Sequence, residues 1–259
     1  MDGATLAVGQ AALAAYLLAL AKTAGFVLVT PPFNTRSIPT RARAGLAVAL
    51  ALPLSAREVG VPALDSVSLV LRILAEAFTG LSLGFFVLLA VATVQTVGEL
   101  LDIIGGFSMT VALDPLLMAQ SSVMGRLHQL TAVTVLFVSD GHLMILHGLS
   151  RTLTPSGTPI PDAAAMAERV TQDVSTLFVS AIQIAAPVIA AVLIADVALG
   201  LLTRAAPALN PFALSFPIKI MFTLLMVGMI ITRVPAYLDG AVQHAVVSMV
   251  ELIRAAGGG

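Results

Sequence analysis

Residues 61–102 hold a long apolar run with no proline after Pro62 and, before Gly98, only Gly80 and Gly84 as weak points. At about 1.5 Å per residue, roughly 36–40 helical residues reach about 55–60 Å, against a bilayer hydrocarbon core of about 30 Å. A helix of that length must project from a membrane, kink, or lean inside a larger assembly. A second run extends from Asp162 to Leu202. Its first third is amphipathic through Glu168, Arg169 and Asp173, the rest is apolar, and Pro187 is expected to kink it.

Composition agrees with a membrane setting. The chain is 58% hydrophobic and 10% charged with a mean hydropathy of +1.02, where a soluble domain averages about 45–50% apolar and about 25% charged residues. Net charge is −1 and no basic run of five or more residues occurs, so nucleic-acid binding has no electrostatic footprint. The absence of cysteine excludes disulfides, thiolate metal sites and cysteine nucleophiles. The expected fold is therefore all-α and membrane-associated, built from long helical hairpins with over-long, kinked helices and a central apolar loop.

That loop lies in residues 98–125, GELLDIIGGFSMTVALDPLLMAQSSVMG. Glu99 and Asp102 precede a Gly105-Gly106 break, an apolar stretch follows, and Asp114-Pro115 restarts a helix. Asp is a favoured N-cap because its carboxylate accepts from an unpaired N–H, and Pro suits the first helical position. Irregular backbone beside membrane segments is tolerated where protein buries it or where it lines a cavity. A loop carrying Phe107, Met109, Leu113, Leu117 and Met118 reads as a constriction or gasket, or else as a re-entrant connector that only packs.

Elsewhere, residues 4–30 form a first apolar segment interrupted only by Lys22, whose stem is expected to snorkel. Asp2 argues against a cleavable signal, so this segment reads as a retained anchor or first membrane helix. Pro31-Pro32 ends it, and the basic stretch with Arg36, Arg41 and Arg43 favours the cytoplasmic side. Residues 45–54 are too short to span and suggest half a span or one arm of a hairpin. Arg72 and Glu76, four apart on one helical face, are expected to neutralise one another; a charge relay is the alternative.

In residues 129–149, the spacing of Asp140, His142 and His147 suits no helical metal site, so the cluster marks a break, a helix end or a subunit contact. Residues 150–162 read as a loop ending on an Asp162 cap. Asp196 lies deep in apolar sequence, where a carboxylate serves a proton relay or an interhelical hydrogen bond. A turn over residues 204–210 leads to the last strong segment, 211–231. Arg233, Pro235 and Asp239 are expected to close it before a terminal amphipathic helix at 243–254.

No phosphate-binding loop, dinucleotide motif or hydrolase signature occurs, and serines, histidines and acids do not group as nucleophile and base. Enzymatic activity is not expected. Residue chemistry alone leaves a translocation-pore subunit, a small-solute secondary transporter and an intramembrane enzyme open, and over-long helices with an apolar loop favour the first.

Several pieces, in order, carry a family resemblance: Pro32-Phe33 with Ile38-Pro39 and Arg43; Glu76, Gly80 and Gly84; Asp102, Gly106, Phe107, Asp114 and Pro115; Gln120; Gly141-His142; and Asn210, Pro211, Phe212, Pro217 and Lys219. From about Lys22 to Asp239 the chain resembles the FliR family of flagellar biosynthetic proteins, which includes a related subunit of virulence type III secretion systems. It departs at Ala208-Leu209, where a Gln-Met pair is usual, and at Arg151-Thr152, where a Ser-aromatic pair is usual.

The resemblance implies a multi-pass protein of the bacterial inner (cell) membrane, in the flagellar basal body. Residues 1–150 would form a FliP-like part containing the central loop, and 151–259 a part with a FliQ-like hairpin. Its implied partners are FliP-like, FliQ-like, FlhA-like and FlhB-like subunits and unfolded export substrates. It also implies a plug at Gly105, Gly106, Phe107, Ser108, Met109, Asp114 and Pro115. Energy would come from a proton gradient and a separate ATPase, so no cofactor, nucleotide site or metal is expected in this chain.

Overall fold

The computed structural model describes residues 3–35, 38–56, 65–107, 122–152, 163–206 and 211–257. Among them every regular element is a helix: α1 (Gly3–Val29), α2 (Thr40–Ser55), α3 (Ser66–Ile104), α4 (Val123–Val138), α5 (Gly141–Arg151), α6 (Ala163–Ala205), α7 (Pro211–Ile231) and α8 (Val234–Gly257). The expected caps at Asp114 and Asp162 lie outside the described residues.

The two long runs are continuous helices of 39 residues (α3) and 43 residues (α6). Pro187 sits inside α6. Gly9–Val29, α3 and Ala164–Ala205 are each long and apolar enough to cross a membrane. Two further pairs qualify only together, across sharp breaks: α4 with α5 bent by 73°, and residues 215–231 of α7 with 234–254 of α8 bent by 54°. The first bend falls at Asp140, which adopts a left-handed conformation (φ 57°) without a side-chain capping bond, in a region that Asp visits more readily than most non-glycine residues. The polar cluster at 140–147 therefore marks a helix break. The second bend falls where the last segment is expected to close: α7 ends at Ile231, whose carbonyl Pro235 cannot bond four residues on, and Pro235 then lies in the first turn of α8, where its missing N–H costs no helical bond; Asp239, expected at the close, stands inside α8 instead.

The chain divides into two compact units, residues 1–90, 140–173 and 241–259, and residues 91–139 and 174–240. In the first unit α1 packs on α2 and α3. Thr23 Oγ1 donates to the carbonyl of Ala47 in α2 at 3.0 Å. Glycines bring α1 and α3 backbone to backbone: a Cβ on Gly25 would overlap the Ala77 carbonyl oxygen, and one on Gly80 would overlap that of Lys22. Lys22, expected to snorkel, is instead fully buried, and its Nζ lies 2.9 Å from Glu76 Oε2. In the same unit Arg169 of α6 joins α8, donating to Ser248 Oγ at 2.6 Å and pairing with Glu251 at 3.3 Å. The core of the second unit gathers Val97 and Leu101 of α3, Met124 of α4, Ala181, Ala185, Val188 and Val192 of α6, and Val227 and Ile230 of α7.

Candidate functional site: the collar of the central loop

The described part of the central stretch is its stem, where α3 ends and α4 begins. α3 stops in a hydrogen-bonded C-cap. Gly105 N–H donates to Leu101 O at 2.8 Å and Phe107 N–H to Asp102 O at 3.1 Å, with Gly106 at φ 81° between them. A six-to-one bond beside a left-handed glycine is the Schellman arrangement, in which the residue after the glycine folds back onto apolar neighbours. Phe107 does so, packing half-buried against the core that contains Leu101, Met124 and Val227. Thr223 crowds Gly105, since a Cβ there would lie 2.7 Å from its Oγ1, and the Phe216 ring lies 3.3 Å from where a Gly106 Cβ would stand.

On the other side α4 is capped twice. Ser122 Oγ accepts from Gly125 N–H at 2.8 Å, an N-cap bond within the helix. The buried Asp102 carboxylate of α3 accepts from Met124 N–H at 3.2 Å. That bond ties the two ends of residues 103–123 together. One turn earlier on α3, a Cβ at Gly98 would overlap the Met124 carbonyl oxygen. The same carbonyl accepts from Nδ1 of the fully buried His128 at 2.8 Å, which fixes the proton on that nitrogen. Gly98, Asp102, Gly105, Gly106, Phe107, Ser122, Met124, Gly125 and His128 thus form a collar around the loop's neck.

Of the residues expected at a plug, the structure places Gly105, Gly106 and Phe107 in this collar. Ser108, Met109, Asp114 and Pro115 lie outside the described residues. In sequence, Asp114-Pro115 is the more conspicuous helix start, although Ser122 before an apolar run with Gly125 three residues on is a legible cap. Asp102 stands out there only as a charge ahead of the break, because no local pattern shows a bond reaching Met124. Glu76 has Lys22 as an ion-pair partner from α1, and Arg72, one turn before it, is half-buried. Asp196 joins Lys219 of α7 at 2.8 Å.

The profile of the bacterial export proteins, family 1, matches residues 13–245. The chain belongs to this family. The flagellar biosynthetic protein FliR of Bacillus subtilis (strain 168) is 29% identical over 217 residues, covering 82% of this chain and 84% of that protein. FliR of Escherichia coli (strain K12) is 30% identical over 212 residues, 79% of each. The secretion system apparatus protein SsaT of Salmonella typhimurium is 31% identical over 152 residues, covering 58% of this chain and 59% of that protein. As a family member with at least three membrane-length apolar helices, the chain is a membrane protein of the bacterial export apparatus.

Proposed function

We propose that this export protein is a structural subunit of the flagellar type III export gate. It helps to form, and with residues 105–115 to plug, the channel through which unfolded flagellar proteins leave the cell. The observation that carries this reading is the collar. Caps satisfy buried N–H and C=O groups at the ends of any connector, but the Asp102–Met124 bond also ties the two ends of this stretch together, as a stopper that yields to cargo and returns to one position requires. Methionine suits the stopper itself, being flexible and polarizable enough to close around a changing shape.

The flagellar assignment is supported by coverage: the FliR relatives align over 79–86% of this chain, whereas SsaT aligns over 58%. FliP-like and FliQ-like subunits are its partners in the gate, with FlhA-like and FlhB-like subunits docking on the assembly. Residues 1–150 act as the FliP-like part, and the α6–α7 hairpin in 151–259 as the FliQ-like one. Its role is architectural and not enzymatic. Glu76 acts as a structural anion, with Arg72 as a second cation beside Lys22.

The test replaces residues 108–113 by a Gly/Ser stretch of equal length in the assembled gate, leaving the collar whole. The expected result is an assembled gate that leaks ions and small solutes. An unchanged permeability barrier contradicts the plug.

A further inference from the structure

The collar leaves one nitrogen unused. The His128 ring is fully buried, and its Nδ1–H donates to the Met124 carbonyl at 2.8 Å. A neutral imidazole with its proton there carries a lone pair on Nε2. That atom is buried and has no hydrogen-bond partner among the described residues. Nδ1 faces back along α4, so Nε2, across the ring, is turned away from the backbone of α4. A buried acceptor left bare is destabilising, and folded proteins usually relieve it with a water.

The ring lines a cavity of about 20 Å³ inside the second compact unit. About 10–15 Å³ is enough for one water, so the space admits a water and no organic ligand. Its walls are Val94 and Val97 of α3, Ile184 of α6 and Ile230 of α7, with Arg233 and Tyr237 at the α7–α8 bend. Arg233 is exposed and marks the open side. Among the described residues it is the one ionic side chain in the lining. On α3, Asp102 accepts from Met124 N–H and Glu99 accepts from Gln95. Arg126 of α4 turns to Gln129, and the Tyr237 hydroxyl is engaged by Thr93 and Ser180. A proton added to Nε2 therefore makes an imidazolium that meets apolar walls and a guanidinium, with no carboxylate in the cavity.

We infer that this cavity is a proton-binding site built into the collar, with water as the carrier. A hydronium entering past Arg233 gives its proton to Nε2 and stays behind as water, while the Nδ1–H bond to Met124 is kept. The cation so formed is repelled by Arg233 and poorly solvated by its walls, so acid loosens the packing of α4 against the α7–α8 bend. Because the ring holds the Met124 carbonyl against Gly98, the disturbance falls on the neck of the central loop. The inference adds acid sensitivity to the proposed plug; it rests on that reading for its effect on the gate and not for the titration itself.

His128→Asn keeps a donor within reach of the Met124 carbonyl and does not titrate. Melting temperatures of the purified full chain in detergent are compared at about pH 8 and about pH 5. His142, His147 and His244 all belong to the other unit and titrate alike in both chains. The parent is expected to lose about 2–4 °C more than His128→Asn on acidification, because the unfolded chain takes up the proton more readily than the folded one. Arg233→Gln removes the repulsion and is expected to lose less than the parent, a response that a merely structural histidine would not give. In the assembled gate, acid is expected to raise the ion leak severalfold with His128 and not with Asn. Equal acid losses in the parent and His128→Asn overturn the proton site and leave the plug standing. If the gate leaks on Gly/Ser replacement of residues 108–113 but not in acid, the proton does not reach the neck and the inference fails. A His128-dependent loss in the chain, with a gate that stays tight both in acid and after that replacement, contradicts the plug and leaves the proton site standing.

Discussion

The amide of Met124 donates to the buried carboxylate of Asp102 at 3.2 Å, and this one bond joins the end of the helix before the central loop to the start of the helix after it. Replacing Asp102 by Ala leaves a buried N–H without that acceptor, a loss of about 1–3 kcal/mol. Asp102→Asn keeps an oxygen in place and is expected to lose less. Thermal unfolding of the two variants in detergent checks the order, and the Ala variant is expected to leak more in the assembled gate. Equal melting temperatures for the two would show that the bond is incidental.

The glycines of the collar separate two kinds of constraint. Gly106 is needed for its left-handed backbone (φ 81°), so Gly106→Ala is expected to cost about 1–2 kcal/mol. Gly98 is needed for space, because a Cβ there overlaps the Met124 carbonyl oxygen, and Gly98→Ala must push α3 and α4 apart. It is expected to be the more damaging of the two. Gly228, on α7 with nothing within 4 Å of a Cβ, is the control: Gly228→Ala should stabilise by up to about 1 kcal/mol through helix propensity. Comparative unfolding of the three variants reads out the ranking, and a Gly98→Ala chain as stable as the parent contradicts the close approach.

Lys22 and Glu76 form a pair sealed from solvent, so removing either partner takes the closest counter-charge from a buried ion. Lys22→Met or Glu76→Gln alone is expected to cost about 3–5 kcal/mol, and the double replacement Lys22→Met/Glu76→Leu much less than the sum. A double-mutant cycle on the purified protein measures the coupling. Strict additivity rules out the pair as a unit.

At Asp140 the backbone is left-handed and the side chain exposed. Asp140→Gly is expected to be neutral or slightly stabilising, and Asp140→Val to cost about 1–2 kcal/mol, because a β-branched residue resists positive φ. Melting temperatures of the two variants are expected to differ in that direction. A Val variant as stable as the Gly variant would deny the strained bend.

The long helices are legible in the sequence because their cause is local: no proline interrupts 66–104, and apolar residues continue past any membrane thickness. The bend at Asp140 is legible for the same reason, as an Asp-Gly step within apolar sequence. Pro235 reads rightly as the close of one helix, but it also opens the next, so the terminal helix starts at Val234 and takes in Asp239. Lys22 misleads because snorkelling is the right expectation for a cation with no partner, and its partner stands on another helix. The collar is half legible. Gly105, Gly106, Phe107 and Asp102 announce themselves as breaks and charges, but their bonds to Met124, Thr223 and the apolar core depend on tertiary packing that no periodicity encodes.

The most direct measurement places a photo-crosslinking residue at Met109 in the assembled gate and stalls an unfolded export substrate in transit. A covalent adduct between position 109 and the stalled cargo, lost when no cargo is present, is the predicted result. Cross-links from position 109 to lipid alone, with cargo stalled in the gate, would contradict the account.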